Sequence, residues 1–529
     1  MRDFERPGRS LAMSTQGMAA TSHPLSTLVA VNMLQSGGNA VDAAIAACAV
    51  QCVVEPGSTG IGGDCFALLA EGGGDNVIAF NGSGRTPNAA NQSWYASQGI
   101  AALDRQSPHS VTVPGAIDAW EQLLRDHGTR GLDHVLQPAI RLSEDGYAIT
   151  PRVSLDWQSQ VDLLRSSEAA KSLLLVDGQS PRVGSKHRQP KLAATLRGIA
   201  KYGRDFFYKG PVAQDIVETL QKLGGLHTLE DFAKACGEYV TPIRTNYCGS
   251  DIFECPPNSQ GVTALLMLNI LGESRSGDPL SLERVHRQIE ASRLAYAARD
   301  AYVADPALAN VPVNRLLSSD YAREMRERIK PGRMCDIHPA PSTTPHRDTV
   351  YLCVVDKDRT TVSFINSIFS TFGSGIVAPR SGVLLHNRGM SFSLDPGHPN
   401  VIVPNKRPMH TIIPGMALRD GKVEMPFGVM GGHYQAMGHA WFLSNVLGYG
   451  LDMQEAMDLP RFFPEPDTGA VEFEGALPTD VQDQLRKMGY SLKRANRPIG
   501  GSQAIRIDWK GGVLIGASDP RKDGCALGY

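Results

Sequence analysis

The sequence has no long apolar run, no surplus of charge of either sign and few aromatic residues. Its longest apolar stretch, Ala43 to Val54, is interrupted by Gln51 and is too short to cross a bilayer. Basic side chains number 52 against 54 acidic ones. That balance excludes nucleic acid as an obligatory partner, because phosphate binding calls for a clear basic surplus. The first residues, Met1 to Pro7, are charged and lead into no apolar core, so neither a secretory signal nor a transit peptide is read there, and cytoplasmic residence is the expectation. The common catalytic signatures are missing as well. Without H-E-x-x-H, G-x-x-x-x-G-K-[ST] or G-x-S-x-G, zinc hydrolysis, P-loop chemistry and the α/β-hydrolase mechanism lose support. The nine cysteines lack paired C-x-x-C spacing and read as reduced, mostly buried thiols. Cys48 and Cys52, one helical turn apart in an Ala/Val-rich segment, read as packing residues.

What remains is a chain of 529 residues with ordinary globular composition, 42% hydrophobic and 7% aromatic, long enough to bury a large core. From Pro24 the pattern predicts a helix that stops at Gly37-Gly38, after which Asn39 caps an alanine-rich helix ending before Glu55-Pro56. The glycine-rich run Gly57 to Asp64 then feeds a hairpin, Cys65 to Ala70 and Val77 to Phe80. Such a run serves either close backbone approach to a ligand or a tight turn. Ile117 to Lys330 reads as mostly helical, with Ser281 to Ala304 a clear amphipathic segment. Asp336 to Asp348, with three prolines and no apolar periodicity, reads as a surface linker. A β-rich run from Thr349 to Asp356, the turn Lys357-Asp358-Arg359 and a second run from Thr360 to Ile368 predict a hairpin. Further β-like runs are Gly382 to His386, Thr411 to Leu418 and Lys422 to Met425, and Tyr434 to Leu447 reads as a helix.

Thr349, at the junction of linker and strand, has two readings. It is a threonine that happens to open a strand, or it is a nucleophile. If the bond from Asp348 to Thr349 breaks, Thr349 gains an α-amine with a pKa near about 8, able to take the proton of its own hydroxyl.

Several ordered motifs bear on that choice. Gly37 to Ala44, Gly60 to Asp64, Thr349 to Asp358, Phe372 to Val377, Pro404 to Pro408, Gly431-Gly432 and Gly516 to Arg521 together resemble the γ-glutamyltranspeptidase family along the length of the chain. The resemblance implies an α+β fold, the four-layer αββα sandwich of N-terminal-nucleophile hydrolases. It implies a precursor that cuts itself between Asp348 and Thr349, giving a large fragment, 1–348, and a small one, 349–529, in one intertwined domain. The partners would be these two fragments as a heterodimer, or a dimer of that pair, with no cofactor, metal, membrane or nucleic acid. Thr349 would be the nucleophile, its amine the base, and the Gly431 and Gly432 backbone N–H groups the oxyanion donors. Ser367 matches a hydroxyl residue that assists the threonine amine; otherwise it is a strand serine facing solvent.

The substrate pocket departs from the family. Where transpeptidases hold an α-ammonium with an asparagine, a glutamine and an aspartate, this chain has Phe369, Arg388 and Ser391. A guanidinium there repels an ammonium and favours a carboxylate, unless Arg388 is a surface ion-pair residue. His410-Thr411 replaces the serine pair that holds the substrate α-carboxylate, and Arg85 stands nearest to the family's large-fragment arginine. The expected activity is hydrolysis of the amide of a small acid, oxamate-like, through a threonine acyl-enzyme. The alternatives are a γ-glutamyltransferase or glutathione hydrolase, a glutaryl-type cephalosporin acylase, and an uncleaved protein that only binds small acids.

Overall fold

Two seven-stranded sheets, stacked face to face, organise the chain in a computed structural model that describes residues 8–273, 277–337, 349–466 and 468–529. In order across the first sheet lie Ala12–Ser14, Val513–Ser518, Gly501–Asp508, Lys422–Met430, Gly415–Arg419, Ser250–Glu254 and Ile243–Tyr247. The second runs Cys525–Gly528, Met18–Thr21, Val350–Val355, Thr361–Ser367, Asp64–Ala70, Val77–Gly82 and Glu238–Val240. Neighbours in the second sheet are all antiparallel.

Strand alternation builds the layers. Tyr351, Cys353 and Val355 point into the apolar layer between the sheets, where they meet Phe66, Ile365, Met416 and Ile505. Leu352 and Val354, on the other face, pack under the helices Pro24–Gln35, Ala40–Val54 and Ala116–His127. A strand covered on both faces must be apolar throughout, which explains the unbroken Val350–Val355 run. Helices Gly261–Leu271, Leu282–Tyr302 and Tyr434–Leu443 cover the outer face of the first sheet through Ile252, Ala417, Phe427 and Val429. The result is the expected αββα sandwich.

The opening helices form as their caps predict. Asn39 accepts from the Val41 and Asp42 N–H groups while Asp42 accepts from the Asn39 N–H, a reciprocal cap. Every residue of Ala40–Val54 is buried, so the helix has no polar face to show. Cys48 and Cys52 lie within that core, and all nine cysteines are free thiols. The segment read from Ser281 to Ala304 is the helix Leu282–Tyr302, but it is buried over most of its surface, with Arg284, His286, Glu290 and Arg299 inside, and so lacks the expected polar face.

Four further expectations need correction. The stretch read as mostly helical contains three strands between Glu238 and Glu254, each only 3 to 5 residues long. Gly382 to His386 forms no strand, only isolated bridges from Leu384 to Val377 and Leu385 to Gly62. The strand expected from Thr411 begins at Gly415, because Ile413 N–H is committed to the Gln435 side chain. The helix read from Tyr434 to Leu447 ends at Leu443, where a wider turn, Ser444–Gly448, takes over. The linker read from Asp336 to Asp348 lies, from residue 338 on, outside the described residues. Among the described residues no helix is long and apolar enough to cross a membrane.

Candidate active site

Sheet register brings the first two hydroxyls together. Val350 pairs with Asn366, so Thr349, one residue earlier, stands opposite Ser367 at the end of the neighbouring strand. Their hydroxyl oxygens lie 3.2 Å apart and both residues are buried. Ser367 therefore does not face solvent. The glycine-rich run accounts for this tightness: a Cβ at Gly63 would come within 2.3 Å of the Ser367 carbonyl oxygen, and one at Gly62 within 2.2 Å of that of Leu384. The close approach these glycines allow is to the protein's own backbone.

Beyond Ser367 the chain turns back on itself. The Phe369 N–H donates to Ser367 Oγ at 2.9 Å, and Phe369 takes a positive φ of 74°, unusual for a bulky residue. Asn387 ties this turn to the short helix Arg388–Ser391 by accepting from the Ser370 N–H and donating to Ser370 Oγ, each at 3.0 Å. Arg388 is thereby laid over the Phe369 ring, its guanidinium 4.1 Å from the centroid, and its Nη1 donates to Thr411 Oγ1 at 2.9 Å. The side chain is wholly buried, which excludes the surface ion pair. Burial lowers its pKa to about 9, so it carries its charge at neutral pH, supported by Asp64. Nε and Nη2, the two nitrogens of one guanidinium edge, have no acceptor among the described residues.

A third group closes the ring. The strand Lys422–Met430 ends in Gly431 and Gly432, at φ of 129° and 61°, before the helix Tyr434–Leu443. Only glycine accepts that pair of values readily. Gln435 Nε2 donates to Thr349 Oγ1 at 3.4 Å, and Gln260 Nε2 donates to the carbonyl oxygens of Thr411 (2.7 Å) and Gly432 (3.1 Å). Arg299 holds Gln260 through its Oε1 at 3.1 Å. Thr349, Ser367, Phe369, Arg388, Thr411, Gly432 and the two glutamines thus form one continuous buried circuit.

His410 faces the opposite way from its neighbour Thr411. Its Nε2 donates to Asp64 Oδ2 at 3.0 Å, and His386 Nδ1 lies 3.7 Å from the same oxygen. Asp64 Oδ1 accepts from the N–H groups of Gly84 (3.0 Å) and Gly115 (3.2 Å). Burial opposes the Asp64 charge, but His386, the His410 hydrogen bond and Arg388 outweigh it and hold the carboxyl at about 2. Burial, with Arg388 adding to it, pushes His410 down to about 3, so the imidazole that serves Asp64 is neutral.

Two of the expected residues stand apart from the circuit. Arg85 is held by Asp305 (3.4 Å) and the Asn405 carbonyl oxygen (3.1 Å), with Glu238 at 3.7 Å. Ser391, at the far end of the Arg388 turn, lines a cavity of about 660 Å³ together with Met390, Met409 and Arg299. Asp348 lies outside the described residues. Sequence reasoning missed Gln260, Gln435, Asn387 and the role of Asp64. Only Asp64 carried a signal, as the charged end of an otherwise glycine-rich run.

Residues 26–529 match the family described as gamma-glutamyltranspeptidase. The chain belongs to this family. It is 35% identical to the glutathione hydrolase-like YwrD proenzyme of Bacillus subtilis, over 98% of this chain and 99% of that protein. It is 34% identical to the oxamate amidohydrolase proenzyme of Klebsiella pneumoniae, again over 98% and 99%. The crystal structure of cephalosporin acylase from Bacillus halodurans superposes with a TM-score of 0.91 at 37% identity, covering 100% of this chain and 99% of that one. This γ-glutamyltranspeptidase-family protein is accordingly an enzyme, a hydrolase of the N-terminal-nucleophile type, and not merely a small-acid-binding protein.

Proposed function

We propose that the chain cuts itself between Asp348 and Thr349, and that the fragments 1–348 and 349–529 remain together as a heterodimer that hydrolyses the amide of a small carboxylic acid, oxamate-like in size. The observation that carries the substrate class is the open edge of Arg388. Nε–H and Nη2–H point the same way from a buried, charged guanidinium whose third nitrogen is occupied by Thr411. That edge is the one that grips a carboxylate through two parallel hydrogen bonds. An α-ammonium would meet the same charge as repulsion, which disfavours a γ-glutamyl group.

In this reading the Thr349 hydroxyl attacks the amide carbon, giving its proton to the Thr349 α-amine, with Ser367 Oγ and Gln435 Nε2 orienting the hydroxyl. The Gly431 and Gly432 N–H groups receive the oxyanion, a contribution of about 3 to 4 kcal/mol each in comparable sites. The C–N bond breaks, the amine leaves with the proton held by Thr349, and water then hydrolyses the ester. Phe369 in place of a smaller polar residue narrows the pocket toward a short acyl chain.

The test is a comparison of amides on freshly purified enzyme. Faster ammonia release from oxamate than p-nitroaniline release from γ-glutamyl-p-nitroanilide supports this reading; the reverse order overturns it in favour of a glutathione hydrolase. The likeness to cephalosporin acylase favours a second reading, a longer glutaryl chain, for which glutaryl-p-nitroanilide is the probe.

A further inference from the structure

We infer that Asp64 is a charge-selecting residue, which lets the site hold a substrate with one carboxylate and expel a product with two. The inference rests on the proposed amide hydrolysis and adds a step to it, since splitting the amide of a dicarboxylic acid turns a monoanion into a dianion. The second carboxylate appears at the carbon that Thr349 attacks.

Asp64 is placed to act on that carbon. It is the register partner of Ser367 in the sheet, and Ser367 Oγ is 3.2 Å from Thr349 Oγ1. Its carboxylate is wholly buried and its oxygens are already occupied, Oδ1 by the Gly84 and Gly115 N–H groups and Oδ2 by His410 Nε2. None of the hydrogen bonds to Asp64 comes from Arg388, which bonds Thr411 instead. Asp64 therefore balances the guanidinium charge without covering the edge that would take the substrate. Arg388 has one free edge, which pairs with one carboxylate; a second carboxylate finds no guanidinium edge left and meets the buried Asp64 charge.

The distance is short enough to matter. Thr349 and Asp64 flank Ser367 on successive strands, two strand spacings or ~10 Å apart, and at an effective dielectric of about 20 a unit charge at that range changes anion affinity by roughly 15-fold. The other charged groups and imidazoles facing this spot are Arg388, Arg407, His386, His410 and the Thr349 amine. All are common to the wild type and Asp64→Asn.

The test uses two ligands of equal size that the enzyme does not hydrolyse, oxalate (dianion) and pyruvate (monoanion), by calorimetric titration at pH 7. Wild-type enzyme should bind pyruvate at least tenfold more tightly than oxalate, Asp64→Asn should shift the ratio at least tenfold toward oxalate, and Asp64→Glu should keep the wild-type order. An unchanged ratio in Asp64→Asn, with both ligands bound, overturns this inference and leaves the proposed function standing. No binding of either ligand to the wild type overturns both. If Asp64→Asn does not fold, the wild type decides: oxalate should bind more tightly as acidification makes it a monoanion, while pyruvate does not change, and weaker binding of the protonated form overturns the inference.

Discussion

The guanidinium of Arg388 lies 4.1 Å above the ring of Phe369, and both side chains are fully enclosed. Removing the cation should therefore abolish ground-state recognition of the acid. Arg388→Met is expected to raise KM for a carboxylate-bearing amide by about thirty-fold to several thousand-fold, the range for an unpaired buried charge. Steady-state kinetics on the purified variant check this; a KM within threefold of wild type would remove Arg388 from the binding site.

Thr349 is expected to be indispensable for chain cleavage. Thr349→Ala should run as one chain of full length under denaturing conditions, where the wild type should give two fragments, the smaller beginning at Thr349. Thr349→Ser, which keeps the hydroxyl, should still process. A cleaved Thr349→Ala protein would assign the cutting to another group.

Gly431 has φ of 129°, and a Cβ there would stand 2.9 Å from Gly500 Cα. Gly431→Ala must tilt the peptide that carries the proposed oxyanion donors. The expected loss is about 10²- to 10³-fold in kcat with KM little altered. An effect confined to KM would place the oxyanion elsewhere.

Burial pushes the imidazoles of His23, His187 and His227 down to about 4, and that of His410 to about 3. In the unfolded chain a histidine takes its proton near pH ~6.5. Between these values the unfolded state holds more protons, so stability is complete above about pH 6.5 and is lost as the pH falls toward 4, by up to about 1.4 kcal/mol per pH unit for each histidine. The melting temperature should fall steadily from pH 7 to 4.5, and His227→Gln should flatten that slope. Asp64, held at about 2, adds its own loss only below about pH 4. A melting temperature constant down to pH 4.5 would contradict the burial of these rings.

Local rules made the helical layers legible. Asn39 and Asp42 cap one helix, and the alternating faces of Val350–Val355 mark a strand between two layers. The three strands from Glu238 to Glu254 were not legible, because segments such as Ile-Arg-Thr-Asn-Tyr carry too few alternations to stand out from a helical surrounding. At the site, Thr349 and Arg388 could be read from motif position, and their burial could not. Gln260 and Gln435 could not be found at all. Each acts through one amide placed by a fold contact between residues 86 to 172 apart in sequence, as in Gln435 to Thr349 and Gln260 to Gly432, and no local pattern encodes such a distance.

The strand Val350–Val355 lies between Met18–Thr21 and Thr361–Ser367, and the last strand, Cys525–Gly528, pairs with Met18–Thr21 as well. Residues on both sides of the proposed cut are therefore woven through the same sheet. Such weaving imposes an order of events: the chain must fold while still continuous, since the cut removes the connection that makes folding unimolecular. Under the proposed processing the cut would work as a ratchet. A mature enzyme that has once unfolded has to find its other half in solution, so heat inactivation should be irreversible at low protein concentration even where the uncut Thr349→Ala chain refolds.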